Sequence, residues 1–112
     1  MAAPAARSLR QTLGRAVTTI QAAARGDFDA RLVHIREGGP TGERLHAVNE
    51  LIDRTDAFVR EAAISMNDVS QGHYFRHIVE RGMQGGFLDG ARGINTATSA
   101  IAEIGRQVVQ ST

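Results

Sequence analysis

The sequence predicts an all-α protein made of two concatenated helix–connector–helix units that share a long central helix. Three observations carry that prediction. The chain repeats itself at an offset of 46 residues, from Gly26 to Gly72. Through its middle, apolar residues recur in alternating steps of three and four. Of its 112 residues 42% are apolar but only 4% aromatic, with no Trp, so any core is built from Ala, Val, Ile and Leu in close helix contacts.

The repeat is read first. Ala-Arg-Gly-Asp-Phe-Asp-Ala-Arg-Leu-Val over 24–33 resembles Ser-Gln-Gly-His-Tyr-Phe-Arg-His-Ile-Val over 70–79. At the same offset Ala16 meets Ala62, Val33 meets Val79, Gly39 meets Gly85 and Asn49 meets Asn95. Conservative matches fill the gaps: Leu13 with Val59, Ile20 with Met66, Phe28 with Tyr74, Leu32 with Ile78, and Val48 with Ile94.

The elements follow in order. A first helix over about 5–25 uses Leu9, Leu13, Ala16 or Val17, Ile20 and Ala23. Gly26 follows it directly and suits the left-handed residue that closes a helix, as Gly72 does in the second copy. Connectors run over about 26–41 and 72–86. Between them, a helix over about 42–71 reads Leu45, Val48, Ile52, Thr55, Val59, Ala62, Met66, Val69, the spacing of a coiled-coil seam. Thr41 is placed to cap it, and Glu43 to face the positive end of its dipole. A last helix over about 87–110 uses Phe87, Ala91, Ile94, Ala97 or Thr98, Ile101 and Val108. Gly90, Gly93 and Gly105 should weaken it, each by about 1 kcal/mol relative to Ala. The units are thus 5–58 and 52–110, overlapping in the central helix. Each has two amphipathic helices and too little surface to fold alone, so a symmetric partner is expected to complete it. The expected dimer seam is Leu13, Ile20, Leu45, Val48, Ile52, Val59, Ala62, Met66, Val69, Ile94 and Ile101.

Composition excludes several functions. Thirteen basic and twelve acidic residues leave a formal charge of +1, with neither the basic footprint of a nucleic-acid binder nor a polybasic lipid patch. Absence of Cys removes disulfides and thiolate metal sites. No stretch approaches the roughly eighteen apolar residues of a membrane span. Met1–Leu9 lacks the continuous apolar core of a signal peptide, so a cytoplasmic location is expected.

Helix, glycine, connector with two spaced apolar residues, second helix: this order resembles the HAMP domain of bacterial receptors and sensor kinases. The stretch Ala-Val-Asn-Glu-Leu-Ile-Asp-Arg-Thr-Asp-Ala-Phe-Val-Arg-Glu over 47–61, followed by the second copy, is similar to tandem HAMP segments of methyl-accepting chemotaxis proteins. The resemblance implies parallel dimers in which each unit is a four-helix bundle drawn from two chains. It implies that Phe28 and Leu32, and Tyr74 and Ile78, dock from the connectors behind Gly26 and Gly72 and set the packing. It further implies a relay that converts an input motion into helix rotation or repacking for an output domain in cis. Two departures stand out. The proline that many members carry early in the first helix is missing beside Leu13 and Val59, and the opening of the second helix is divergent at Pro40-Thr41-Gly42-Glu43 and Gly85-Gly86-Phe87-Leu88.

Other features are weighed against simpler readings. His73 and His77 are spaced like metal ligands but fall in a connector, where ordinary surface histidines are the preferred reading and no metal or cofactor is expected. Tyr74 and Phe75 beside them fit buried connector aromatics better than a haem or ligand pocket. Asn49 and Asn95 either fix register at a bundle interface or face solvent, and the two readings stand level. Arg54, Asp56, Arg60 and Glu61 read as a solvated face with pairs such as Asp56 to Arg60, and Glu103 with Arg106 is similar. The glycine-rich 82–86 follows no strand and precedes no Lys-Ser/Thr, and no catalytic constellation appears, so no enzyme activity is expected. The rival functions are a stand-alone helical adaptor that pairs with a partner coiled coil, and a small ligand sensor using residues 73–77.

Overall fold

A computed structural model describes residues 4–32 and 38–111, with side chains over 7–32 and 38–108. Val33, matched to Val79 by the repeat, lies outside the described residues, as does the rest of 33–37 in the first connector. The described residues hold three helices and no strand: α1 (Pro4–Ala24), α2 (Gly39–Ser70) and α3 (Gly85–Ser111). The all-α expectation is met.

The ends of the helices follow from local chemistry. Pro4 opens α1, where its missing N–H costs nothing because the first helical N–H groups have no partner within the helix. At the far end, Gly26 N–H bonds the Ala23 carbonyl at 2.9 Å and Asp27 N–H bonds the Ala22 carbonyl at 2.9 Å. The repeat reproduces the pair: Gly72 N–H to Val69 at 3.0 Å and His73 N–H to Asp68 at 2.8 Å. This double closure requires a left-handed residue, and Gly26 and Gly72 take φ of 93° and 82°.

Two expectations at the start of α2 are corrected. The helix begins at Gly39, so Thr41 lies inside its first turn instead of capping it, and Glu43 falls beyond that turn. Pro40 is the reason: its fixed φ suits the first turn, which carries the helix back past the threonine. Likewise α3 starts at Gly85, two residues before the expected Phe87.

Contacts divide the chain into two compact units, Met1–Asp56 and Ala57–Thr112, with the division inside α2. In the first, Ala16 of α1, Leu32 of the connector and Leu45 of α2 form a buried cluster with Val48 packed against it. In the second, Ile78, Ala91 and Thr98 are buried, with Ser65 of α2. These are small cores. Apolar side chains of the same kind, including Leu13, Val17, Ile20, Leu51 and Ile104, remain exposed.

The α3 glycines differ in purpose. A β-carbon at Gly90 would stand 2.8 Å from the Phe58 ring, which itself packs on Phe87 with centroids 5.7 Å apart. One at Gly93 would meet nothing within 4 Å. Gly93→Ala should therefore stabilise the protein by up to about 1 kcal/mol. Gly90→Ala should forfeit that gain, because the wedged ring must move. Thermal unfolding followed by circular dichroism checks the difference in sign.

Candidate functional site: two clamped connectors

The candidate site in each unit is the connector peg and the side-chain amide that holds it. In the first unit the chain leaves Gly26, and the Asp27 carboxylate accepts the Asp29 N–H at 3.1 Å, tightening the turn. Phe28 is half-buried and Leu32 fully so. Asn49, from α2, then grips the Leu32 peptide at both ends. Leu32 N–H donates to Asn49 Oδ1 at 2.8 Å, and Asn49 Nδ2 donates to the Leu32 carbonyl at 2.8 Å.

The second unit repeats the clamp. Ile78 N–H donates to Asn95 Oδ1 at 2.8 Å, and Asn95 Nδ2 donates to the Ile78 carbonyl at 2.9 Å. Both asparagines therefore do something that neither sequence reading contained. They are not free in solvent, and their amides are committed to the connector backbone of their own chain. An extended connector has no helical or sheet neighbour to satisfy its peptide groups, and burying its peg would otherwise strand an N–H and a C=O. The signal was present in the sequence, since an asparagine stands seventeen residues after the apolar peg in both copies.

Around this common clamp the two connectors are locked differently. In the first, Arg31 donates from Nε to Asp53 at 2.7 Å, and its Nη2 lies 3.9 Å from Asp56. Its Nη1 donates to the Phe28 carbonyl and, at 2.7 Å, to that of Ala30. In the second, His77 takes the place of Arg31 and lies 3.4 Å from Ser99, Nε2 to Oγ, close enough to Glu80 to act on its charge. There Asn95 also donates to Glu80 Oε2 at 3.1 Å, and Glu80 pairs with Arg92 at 3.2 Å. The Asn95 hydrogen bond and then the Arg92 partner hold the Glu80 carboxyl below its ordinary value.

The remaining predicted residues fall into three groups. Leu45 and Ile52 are buried within the chain; Val48, Ala62, Val69, Ile94 and Tyr74 are half-buried; Leu13, Ile20, Val59, Met66 and Ile101 are exposed. The exposed charges pair mainly along or beside their helices: Arg54 with Glu50 at 3.0 Å, Arg106 with Glu103 at 2.8 Å, and Arg76 with Glu61 at 3.6 Å. His73 is exposed with its ring 5.9 Å from that of Phe75. Among the described residues no three His, Asp or Glu side chains converge as metal ligands. Nor is any described helix long and apolar enough to cross a membrane.

With this geometry in view, the chain can be set beside known proteins. No family model matches it, and no solved structure matches it significantly. Over 92 residues, 82% of the chain, it is 34% identical to a methyl-accepting chemotaxis protein of Paramagnetospirillum magneticum. That similarity supports a chemotaxis-transducer family. The match spans 21% of the relative, so the chain corresponds to about a fifth of that protein.

The clamp leads to two expectations. Asn95→Ala should cost about 2–3 kcal/mol by stranding the buried Ile78 peptide, and Asn49→Ala less, because Asn49 is only half-buried. Denaturant titration gives the order, and amide exchange at Leu32 and Ile78 shows whether the loss is local. Glu80 sets a pH dependence. Its folded carboxyl is held low, so its contribution is complete above the ordinary value of 4.5 and is lost as pH falls through the lowered value. Glu80→Gln should flatten that part of the acid-unfolding curve.

Proposed function

We propose that the chain is a non-enzymatic signal-relay segment of a chemoreceptor-type transducer. On this reading it consists of two HAMP-like units, each completed by a second, co-directional copy into a four-helix bundle, acting in the cytoplasm on an output domain in cis. The observation that carries the reading is the repeated apolar stripe left outside each unit's own core. Leu13, Val17 and Ile20 of α1 are 47–53% exposed, and the matching Val59 and Met66 of α2 are 41–44% exposed. These are one face of a helix, spaced by three, four and seven, and a second copy is the simplest cover for a stripe that recurs at the same register in both units. Similarity to a chemotaxis transducer points the same way.

The mechanism follows from what is firm and what is not. Each peg is fixed to its own α2 or α3 by two hydrogen bonds, so connector and helix move together. The seam, by contrast, is built from side chains such as Ala62, Thr55 and Val59, which impose little penalty on rotation. A bundle with two packings separated by a few kcal/mol is shifted by a modest input. Since α2 is unbroken from Gly39 to Ser70 and contributes to both units, turning it alters both, and the two units would favour opposite packings.

The absence of Cys from the chain makes the test direct. Leu13→Cys and Met66→Cys should each cross-link to the same residue of a second copy under mild oxidation, because a disulfide needs Cα atoms about 4.4–6.8 Å apart. Gln11→Cys, exposed and on the side of α1 turned away from the stripe, should not. Val59→Asp should give monomers in sedimentation. Monomeric wild-type protein, or cross-linking only in Leu13→Cys and Met66→Cys mixtures as an antiparallel pair would give, overturns the relay reading. Retention of a heterologous complex in its place would favour the adaptor.

A further inference from the structure

The second unit contains an open cleft of about 450 Å³ between its connector and α3, lined by Tyr74, Phe75, His77, Ser99, Ala102 and Arg106. That volume lies within the usual range for small-molecule sites, about 300–1,000 Å³. Its chemistry is clearest beside the residues 46 positions earlier. Asp29, Arg31, Asp53, Asp56 and Arg60 there become Phe75, His77, Ser99, Ala102 and Arg106. Three carboxylates have gone, one arginine remains, and the other has become a histidine.

The exchange explains the cleft. In the first unit the Arg31 side chain spans the gap from connector to α2, touching two connector carbonyls, Asp53 and Asp56. In the second, His77 is a shorter side chain without the guanidinium's reach; it lies 3.4 Å from Ser99 and acts at longer range on Glu80. What is left has donors at Arg106, Ser99 and His77 and two aromatic side chains at Tyr74 and Phe75. Phe75 is 86% exposed, an unusual position for a large apolar ring. The acids closest to these groups do not neutralise the cleft. Glu103 pairs with Arg106 at 2.8 Å, but both are more than half exposed, and such surface pairs contribute at most about 1 kcal/mol. A guanidinium has five donors, so most of Arg106 stays available. Glu80 is hydrogen-bonded by Asn95 and Arg92 and acts on His77 only through longer-range charge, so Arg106 and Ser99 are the donors that matter.

We propose that this cleft binds a small planar carboxylate, an aromatic or heteroaromatic acid, its carboxylate taken by Arg106 and Ser99 and its ring laid against Tyr74 and Phe75. A bound acid would bridge connector and α3 where Arg31 bridges connector and α2 in the first unit. The site lies within one chain, so its test does not depend on the dimer.

The experiment is an NMR titration of the full chain with benzoate, with benzamidinium as a ring of the same shape and opposite charge. Benzoate should give saturable shifts centred on the backbone amides of 74–77, 99, 102 and 106, and benzamidinium none. Arg106→Ala, an exposed substitution, should weaken binding by about threefold to fivefold. The triple variant His77→Arg, Ser99→Asp, Ala102→Asp, which installs the first unit's residues, should abolish it while keeping the dispersed spectrum of a folded protein. The proposal is overturned if benzoate gives no saturable shift up to about 10 mM. It is equally overturned if benzamidinium shifts the same amides with the same midpoint, or if the triple variant binds benzoate as tightly as the parent.

Discussion

Each unit depends on one constraint: an extended connector has to be buried on its peg without leaving its peptide groups unsatisfied. Leu32 and Ile78 are almost wholly removed from solvent, and removal of the side chain drags the backbone with it. Neither residue sits in a ladder that would take its N–H and C=O. A side-chain amide solves this because it carries a donor and an acceptor a peptide's width apart, so one asparagine satisfies both groups at once. No aliphatic residue can do so, and a carboxylate offers only acceptors. Both clamps span seventeen residues, and in each the asparagine stands ten residues past the start of the following helix, nearly three turns along it.

With the clamp in place the rest of each unit can be slight. The first unit's buried apolar cluster is Ala16, Leu32 and Leu45 with Val48 against it, which is little for two helices. At about 25 cal/mol per Å² of apolar surface, such a core contributes less than the ordering of the chain costs. The exposed faces of α1 and α2 are where further burial is available. Their residues, Leu13 with Val59 and Ile20 with Met66, recur at the same register as the clamps and the glycine closures. The repeat therefore extends to the exposed faces of the helices as well as to their buried ones.

Much of this could be read from residue order. The repeat, the closing glycines and three helices follow from spacing and type, because these depend on contacts close in sequence, whereas docking of Leu32 and Ile78 is only what the family resemblance implies. What escaped depended on contacts across the fold. Thr41 looked like a cap because the chemistry of caps is local, but Pro40 extended the helix beyond it. Gly90 looked like a weakness, and only the Phe58 ring gives it a reason. The asparagines were noticed as a recurring pair, yet their partner is backbone, which has no signature in sequence. The cleft at His77 was the least visible, since it results from side chains becoming shorter at positions that meet only after folding.

The two units share a scheme but not a balance of forces. Beside its clamp the first unit has a guanidinium tied to Asp53 and near Asp56, whereas the second has a histidine touching one hydroxyl. In the second unit's core, Thr98 replaces Ile52, and Ser65 replaces Thr19. The hydroxyls of Ser65 and Thr98 are buried with no hydrogen-bond partner among the described residues. Each such group costs about 1–3 kcal/mol relative to a satisfied one. Against this, Asn95 is more deeply buried than Asn49 and has the additional bond to Glu80, so the peg itself is held at least as firmly. The second unit therefore combines a firmly held connector with a core that leaves two buried hydroxyls unsatisfied. The unsatisfied groups of the second unit thus lie on the buried faces of α2 and α3, and not at the peg.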